Sequence, residues 1–237
     1  MLLYQNVGVY CSKPLQEQKN LRLGNTCYFM EIILIRHGQS KGNEQNIVQG
    51  QLDEGLSELG LAQAEELSNH LSDLNAIYSS DTGRAIQTAK PTAKKLGLEI
   101  NSDKDLREAY FGVWEGMTYD EVKEKYSSEY KAWNENYYDR PSWFEAFETH
   151  QNRVRKALER VLSNHKTNEK IAVFSHGGSI KTQVGFFKKL NGTELSKIRI
   201  SNCSLTLISF KLHKEYKNGD LTYFSKDVVK NKAQVYD

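Results

Sequence analysis

Two short apolar runs, far apart in the chain, each stop at a histidine followed by glycine. Glu31-Ile32-Ile33-Leu34-Ile35 ends in Arg36-His37-Gly38, and Ile171-Ala172-Val173-Phe174 ends in Ser175-His176-Gly177-Gly178. Four consecutive apolar, β-branched-rich residues without polar alternation have the composition of a strand covered on both faces, which points to a parallel sheet flanked by helices. In open α/β sheets ligands sit beyond the carboxyl ends of the strands, so both histidines and Arg36 would be delivered to one crevice. Gly38 would let the backbone turn sharply there. Glycines ahead of the helix-like stretch Ser179 to Lys189 would let backbone N–H groups and the positive helix end approach an anion, which suits phosphate. From either string alone, a surface turn or a hydrogen-bonded structural histidine is an equally open reading; the pair is harder to dismiss.

Between these runs, strand-like and helix-like segments alternate. A helix over 57–71 carries Leu61, Ala64, Leu67 and Leu71 at three- and four-residue spacing, with Ser57 as its N-cap. A short strand over 76–78 follows, then a helix over 82–96 that Pro91 could kink. A long helix over 144–162 has Phe147, Val154, Leu158 and Val161 on its apolar side, and an apolar strand over 204–212 closes the pattern. The expectation is an α/β fold, a three-layer α/β/α sandwich with a largely parallel central sheet.

At 237 residues with 38% hydrophobic content, the chain can bury one substantial core. With 32 basic and 30 acidic residues the net charge is only +2, which gives no indication of a nucleic-acid or membrane partner. No apolar run approaches the ~20 residues needed to cross a bilayer. Three cysteines, Cys11, Cys27 and Cys203, are an odd number without metal-site spacing and fit a reducing cytoplasm; Cys203 reads as a small core residue. Residues 1–29 lack the apolar stretch of a secretory signal and have no clear period. They read as a flexible N-terminal extension or as an upstream start with translation beginning at Met30, the second being favoured.

Arg36-His37-Gly38, with Ser40 and Asn43 following, resembles the signature of the histidine phosphatase (phosphoglycerate mutase-like) superfamily. The resemblance continues in order through Leu52 to Ala64, Tyr78 to Ala89 around Arg84, Leu106 to Gly116 around Glu108, and Phe174 to Gly178, covering Met30 to about Phe210. It implies a phosphoglycerate mutase-like fold over 30–237 with a cap-like insertion at about 117–151. It also implies a phosphohistidine intermediate. Neutral imidazole can attack phosphorus without first losing a proton, so His37 is the candidate nucleophile, its other nitrogen donating to a backbone carbonyl such as that of Gly38. Arg36 and Arg84 are the cations for the equatorial phosphate oxygens. By the same resemblance His176 and Asn43 bind phosphate, His176 as a cation when phosphate is bound, and Gly177 belongs to that cradle. Glu108 is the proton donor to the leaving group. Glu115 reads as structural, and Asp53 and Glu54 as solvated loop charges. No metal and no cofactor is expected: the arginines oppose a cation, and no helical His-x-x-x-His or cysteine pair completes a site for His37 and His176.

The expected activity is therefore metal-independent hydrolysis of small phosphomonoesters. A cofactor-dependent phosphoglycerate mutase is the alternative, and a non-catalytic phospho-ligand binder on the same fold the second. Against the mutase, Glu108 is followed by Ala109-Tyr110-Phe111-Gly112 rather than Arg-His-Tyr-Gly, and Asp139-Arg140-Pro141-Ser142 offers one arginine where mutases carry a pair. Substrate choice falls to the segment after Met117, whose aromatics, from Tyr119 and Trp133 to Tyr137 and Phe147, are expected mostly to pack against one another. In place of the family's Gly-Glu-Ser, the chain reads Phe144-Glu145-Ala146. The partner is expected to be a small phosphorylated metabolite.

Overall fold

The computed structural model describes residues 29–211 and 215–229; the expected extension over 1–29 lies outside them apart from Phe29. In chain order the elements are β1 (Met30–Arg36), α1 (Lys41–Glu44), α2 (Glu58–Ser68), β2 (Ala76–Ser79), α3 (Gly83–Leu96), β3 (Ile100–Ser102), α4 (Tyr119–Lys125), α5 (Ser127–Glu135), α6 (Phe147–Asn164), β4 (Lys170–Ser175), α7 (Gly177–Lys188), α8 (Gly192–Ser196), β5 (Leu205–Phe210) and β6 (Asp220–Lys226). The six strands form one sheet in the order β3-β2-β4-β1-β5-β6. The first four run parallel and β5 is antiparallel to β1, so the sheet is largely parallel as expected.

Alternation along β1 and β4 builds the three layers. Ile32, Leu34, Ile171 and Val173 face one way and pack with Val154, Leu158 and Val161 of α6 and Ile180 and Val184 of α7. Ile33, Ile35, Ala172 and Phe174 face the other way, against Leu67 of α2 and Ala89 and Ala93 of α3. Strands covered on both faces need no polar positions, which is why both runs are apolar throughout. The register pairs Ile35 with Phe174 and Arg36 with Ser175, so His37 and His176 leave adjacent strand ends side by side. Ser79 of β2 pairs with Phe174, which brings Ser80 to the same edge.

A third cluster is aromatic: Phe111, Trp114, Trp133, Tyr137, Phe144 and Phe147 pack with Val48, Val122 and Leu195. Trp114 meets Phe144 edge-on with centroids 4.8 Å apart, and Phe111 meets Phe144 at 4.9 Å, the geometry aromatic quadrupoles prefer. Most aromatics after Met117 thus do pack among themselves.

Four local expectations need correction. Leu61 is 49% exposed; the buried face of α2 is Gly60, Gln63, Ala64 and Leu67, because Gln63 Oε1 accepts from Gln39 N at 2.8 Å and turns its polar side inward to hold the loop after β1. The long helix starts at Phe147, since the Glu145 carboxylate is bound to Arg153 and its N–H donates to Tyr110 O. α7 starts at Gly177 rather than Ser179, with His176 as its N-cap residue. Asp53 is no free loop charge: its carboxylate accepts from the N–H groups of Gly83 and Arg84, capping α3 where Thr82 makes no side-chain cap bond. Pro91 lies within α3 without ending it, and α3 closes at Gly97 in the left-handed region, φ 66°.

Candidate active site

Beyond the carboxyl ends of β1, β2 and β4 lies a cavity open to solvent. Arg36, His37, Asn43, Arg84, Glu108, His176 and Gly177 all line it, so residues up to 141 positions apart converge on one space.

His37 is held by both its backbone and its ring. Its carbonyl accepts from Asn202 Nδ2 at 2.8 Å, and its Nδ1 lies 2.7 Å from Gly38 O. Nδ1–H therefore donates to that carbonyl, leaving Nε2 with its lone pair. Burial, then Arg84 and Arg36, hold its pKa well below the ordinary histidine value, so the ring is neutral near pH 7. Gly38 is required by close packing rather than by turn conformation, its φ not being positive: a Cβ there would sit 2.7 Å from Gly60 O. Its N–H donates to Thr88 Oγ1 at 3.0 Å, docking the loop on α3.

The His176 ring lies edge-on to that of His37, centroids 5.2 Å apart. Its Nε2 is 2.9 Å from Ser80 Oγ and 3.4 Å from Thr82 Oγ1, while Nδ1 is buried with no hydrogen-bond partner among the described residues. Burial first, then Arg84, depress its pKa strongly. The cationic form expected with phosphate is therefore not the form this geometry favours; a phosphate's charge would have to raise it.

Two guanidinium groups line the cavity. Arg36 Nη1 donates to Ile200 O at 2.5 Å; Arg84 donates to Leu52 O at 2.5 Å and Gly50 O at 2.7 Å. Burial pushes the Arg84 pKa down to about 10, still a cation at neutral pH. Asn43 completes a capping box with Ser40 at α1 and also lines the cavity. Its Oδ1 accepts from Ser40 N at 3.3 Å and Asn202 Nδ2 at 3.4 Å, so the amide nitrogen is the end left for an anion.

Glu108 accepts from its neighbour Ala109 N at 2.8 Å and from Gly178 N at 2.7 Å. Part of the α7 N-terminus is thus occupied by this carboxylate, where phosphate alone had been expected. Behind it, all five N–H donors of Arg153 are used: two to the Glu145 carboxylate at 2.7 and 2.8 Å, and three to the carbonyls of Asp105, Arg107 and Glu108 at 2.7 to 2.9 Å. Glu115 is structural, as expected, accepting from Gln51 N and Phe111 N.

Sequence reasoning missed the cavity residues Gln49 and Lys181, and His150, which lies outside the cavity lining. Gln49 hydrogen-bonds Ser40 Oγ, and Lys181 stands on α7 four residues beyond Gly177, a helical spacing that could have revealed it. Fully buried His150 donates from Nε2 to Ser179 Oγ at 2.9 Å, with Glu108 Oε1 3.7 Å away, and no local pattern marked it. Among the described residues no three His, Cys, Asp or Glu are grouped to hold a metal ion.

The model of the histidine phosphatase superfamily, branch 1, matches residues 32–217. The chain is 32% identical over 198 residues to a putative phosphoserine phosphatase 2 of Hydrogenobacter thermophilus, covering 82% of this chain and 95% of that protein. It is 36% identical over 160 residues to phosphoglycerate mutase-like protein 4 of Arabidopsis thaliana, covering 65% and 69%. Among solved structures, mycobacterial glucosyl-3-phosphoglycerate phosphatase in complex with VO3 superposes with a TM-score of 0.75 at 26% identity, covering 83% of this chain and 99% of that one.

Proposed function

From the premise that the chain belongs to the histidine phosphatase superfamily and is a phosphomonoester hydrolase, we propose that it works without a metal, through a phosphohistidine on His37. The observation that carries this reading is the Nδ1–H bond from His37 to Gly38 O in a cavity lined by Arg36 and Arg84. His37 Nε2 attacks phosphorus as the bond to the leaving oxygen breaks, and Glu108 supplies that oxygen with its proton. Arg36, Arg84, Asn43, His176 and Gly177 bind the transferring group, whose charge stays on its equatorial oxygens throughout. Glu108, now a carboxylate, takes a proton from water as the water oxygen attacks phosphorus and the P–N bond breaks. Phosphate leaves, with Glu108 protonated and His37 neutral again.

The substrate in this reading is a small phosphorylated metabolite, handled in the cytoplasm. The free Cys203 thiol is buried, and burial pushes it up to about 12; no helix among the described residues is long and apolar enough to cross a membrane. Residues 117–151 act as a cap, since Tyr119, Trp133 and Tyr137 wall the cavity. The mutase reading is weaker: Arg140, the arginine of the middle insertion, donates to Glu145 O at 2.9 Å and stacks on Tyr137 and Phe147.

The test is phosphate release from p-nitrophenyl phosphate in EDTA. The parent should turn over and His37→Ala should not, while Glu108→Gln should fall by about 10²–10⁴ on an alkyl phosphate. Turnover that EDTA abolishes, or that survives His37→Ala, would refute the mechanism.

A further inference from the structure

The backbone of the proposed nucleophile and the side chain of a proposed phosphate ligand share one partner. Asn202 Nδ2 donates to His37 O at 2.8 Å and to Asn43 Oδ1 at 3.4 Å. Asn202 is 6% exposed and is not among the residues that line the cavity. Which end of each amide points where is fixed by backbone groups whose roles cannot change. His37 O only accepts, so the Asn202 atom against it is the NH2 group; Ser40 N–H only donates, so the Asn43 atom 3.3 Å from it is the carbonyl oxygen. Asn43 Oδ1 is therefore held by two donors, Ser40 N–H and Asn202, and Nδ2 is the end left for the cavity. A reversed Asn43 amide would set an oxygen against a phosphate oxygen, and N–H against N–H at its other end.

The segment that carries Asn202 is built around this contact. Ser204 N–H donates to Ser201 O at 3.1 Å, closing a turn with Asn202 and Cys203 at its centre. Cys203 has φ 55°, in the left-handed region that residues other than glycine seldom enter. Such a conformation persists where surrounding bonds over-determine it. Here Cys203 N–H donates to Arg36 O at 3.0 Å, Arg36 N–H donates to Ser204 O at 3.4 Å, and Arg36 Nη1 donates to Ile200 O at 2.5 Å. The turn is thus tied to the end of β1 on either side of Asn202, which sets the amide between His37 O and Asn43. We propose that Asn202 is a positioning residue for phosphoryl transfer: it keeps the Asn43 amide turned so that Nδ2 meets the transferring phosphoryl group, and ties that amide to the backbone of His37. This inference rests on the reading proposed above, in which Asn43 binds phosphate.

The test is a double-mutant cycle on the binding of inorganic phosphate, read by calorimetry on the parent, Asn43→Ala, Asn202→Leu and the two combined. Leucine keeps the shape of Asn202 and removes the donor. Asn43→Ala should weaken the phosphate Kd by about 10- to 100-fold and Asn202→Leu by about 10-fold, the range for hydrogen bonds to a charged group. Once Asn43 is alanine, Asn202→Leu should weaken Kd by less than about 3-fold more, because no amide is left to orient. Losses that multiply in the combined variant overturn the proposal, since Asn202 would then act on the fold independently of Asn43; so does an unchanged Kd in Asn202→Leu. Should Asn202→Leu fail to fold, the side-chain amide NMR signals of the parent decide. Phosphate should shift the Asn43 NH2 pair, and the Asn202 NH2 protons should exchange with solvent more slowly than those of exposed asparagines; an unshifted Asn43 pair or a fast-exchanging Asn202 pair overturns the proposal. If the parent binds phosphate yet releases none from p-nitrophenyl phosphate, the hydrolytic mechanism fails, and the binding cycle still decides for or against Asn202.

Discussion

At the scale of single residues, the site depends on keeping one imidazole neutral among cations. Burial is the largest cause of the depressed His37 pKa, followed by Arg84 and Arg36. An NMR titration of the ligand-free protein should therefore place the His37 midpoint well below 6.5. Arg84→Met should move it back upward, yet not fully, because burial remains; a wild-type midpoint at or above 6.5 would contradict the assignment. Arg36, His37, Gly177 and His176 were legible from sequence because each belongs to a local string in which an apolar run ends in His-Gly. Ser80 was not singled out, because its contact with His176 Nε2 depends on β2 pairing with β4 rather than on anything near Ser80 in the chain.

At the scale of elements, α6 is the support for Glu108, the proposed proton donor. Arg153 joins the Glu145 carboxylate to three carbonyls of the segment that ends at Glu108, a planar fork that a lysine ammonium cannot reproduce. Arg153→Lys should cost at least about 2 kcal/mol in urea unfolding, since several charge-assisted bonds are lost together. It should also lower kcat more than it raises KM for phosphate esters, because Glu108 loses its fixed position while the proposed phosphate ligands keep theirs. Equal effects on kcat and KM would count against this role. The apolar period of α6 was readable, with Phe147, Val154, Leu158 and Val161 all buried. That of α2 misled at Leu61, because the helix turns Gln63 inward to satisfy Gln39 N–H, a demand made by another part of the chain.

At the scale of the whole molecule, His37, His150 and His176 are buried with pKa values held well below normal, chiefly by burial. The unfolded chain binds protons at these positions below about pH 6.5 while the folded chain does not, so their contribution is full above that pH and declines as pH falls toward the folded values. Each histidine should contribute a slope of about 1.4 kcal/mol per pH unit in that window. Unfolding free energies from urea titrations should thus drop steeply between pH 7 and pH 5.5, before most carboxylates protonate; a flat profile would show that these rings are not buried neutral. The sequence by itself determined the strands β1, β2, β4 and β5, the helices α2, α3, α6 and α7 and the polar groups at the ends of β1 and β4, because hydrophobic period and chain termination are local properties. Only the tertiary structure decided that Arg36 pairs with Ser175, that Ser80 fixes the His176 ring, and that Lys181 stands over the Tyr137 ring in the cavity wall. A sequence pattern tells which face of an element seeks burial. The sheet register and the packing of distant helices determine which side chain it meets there.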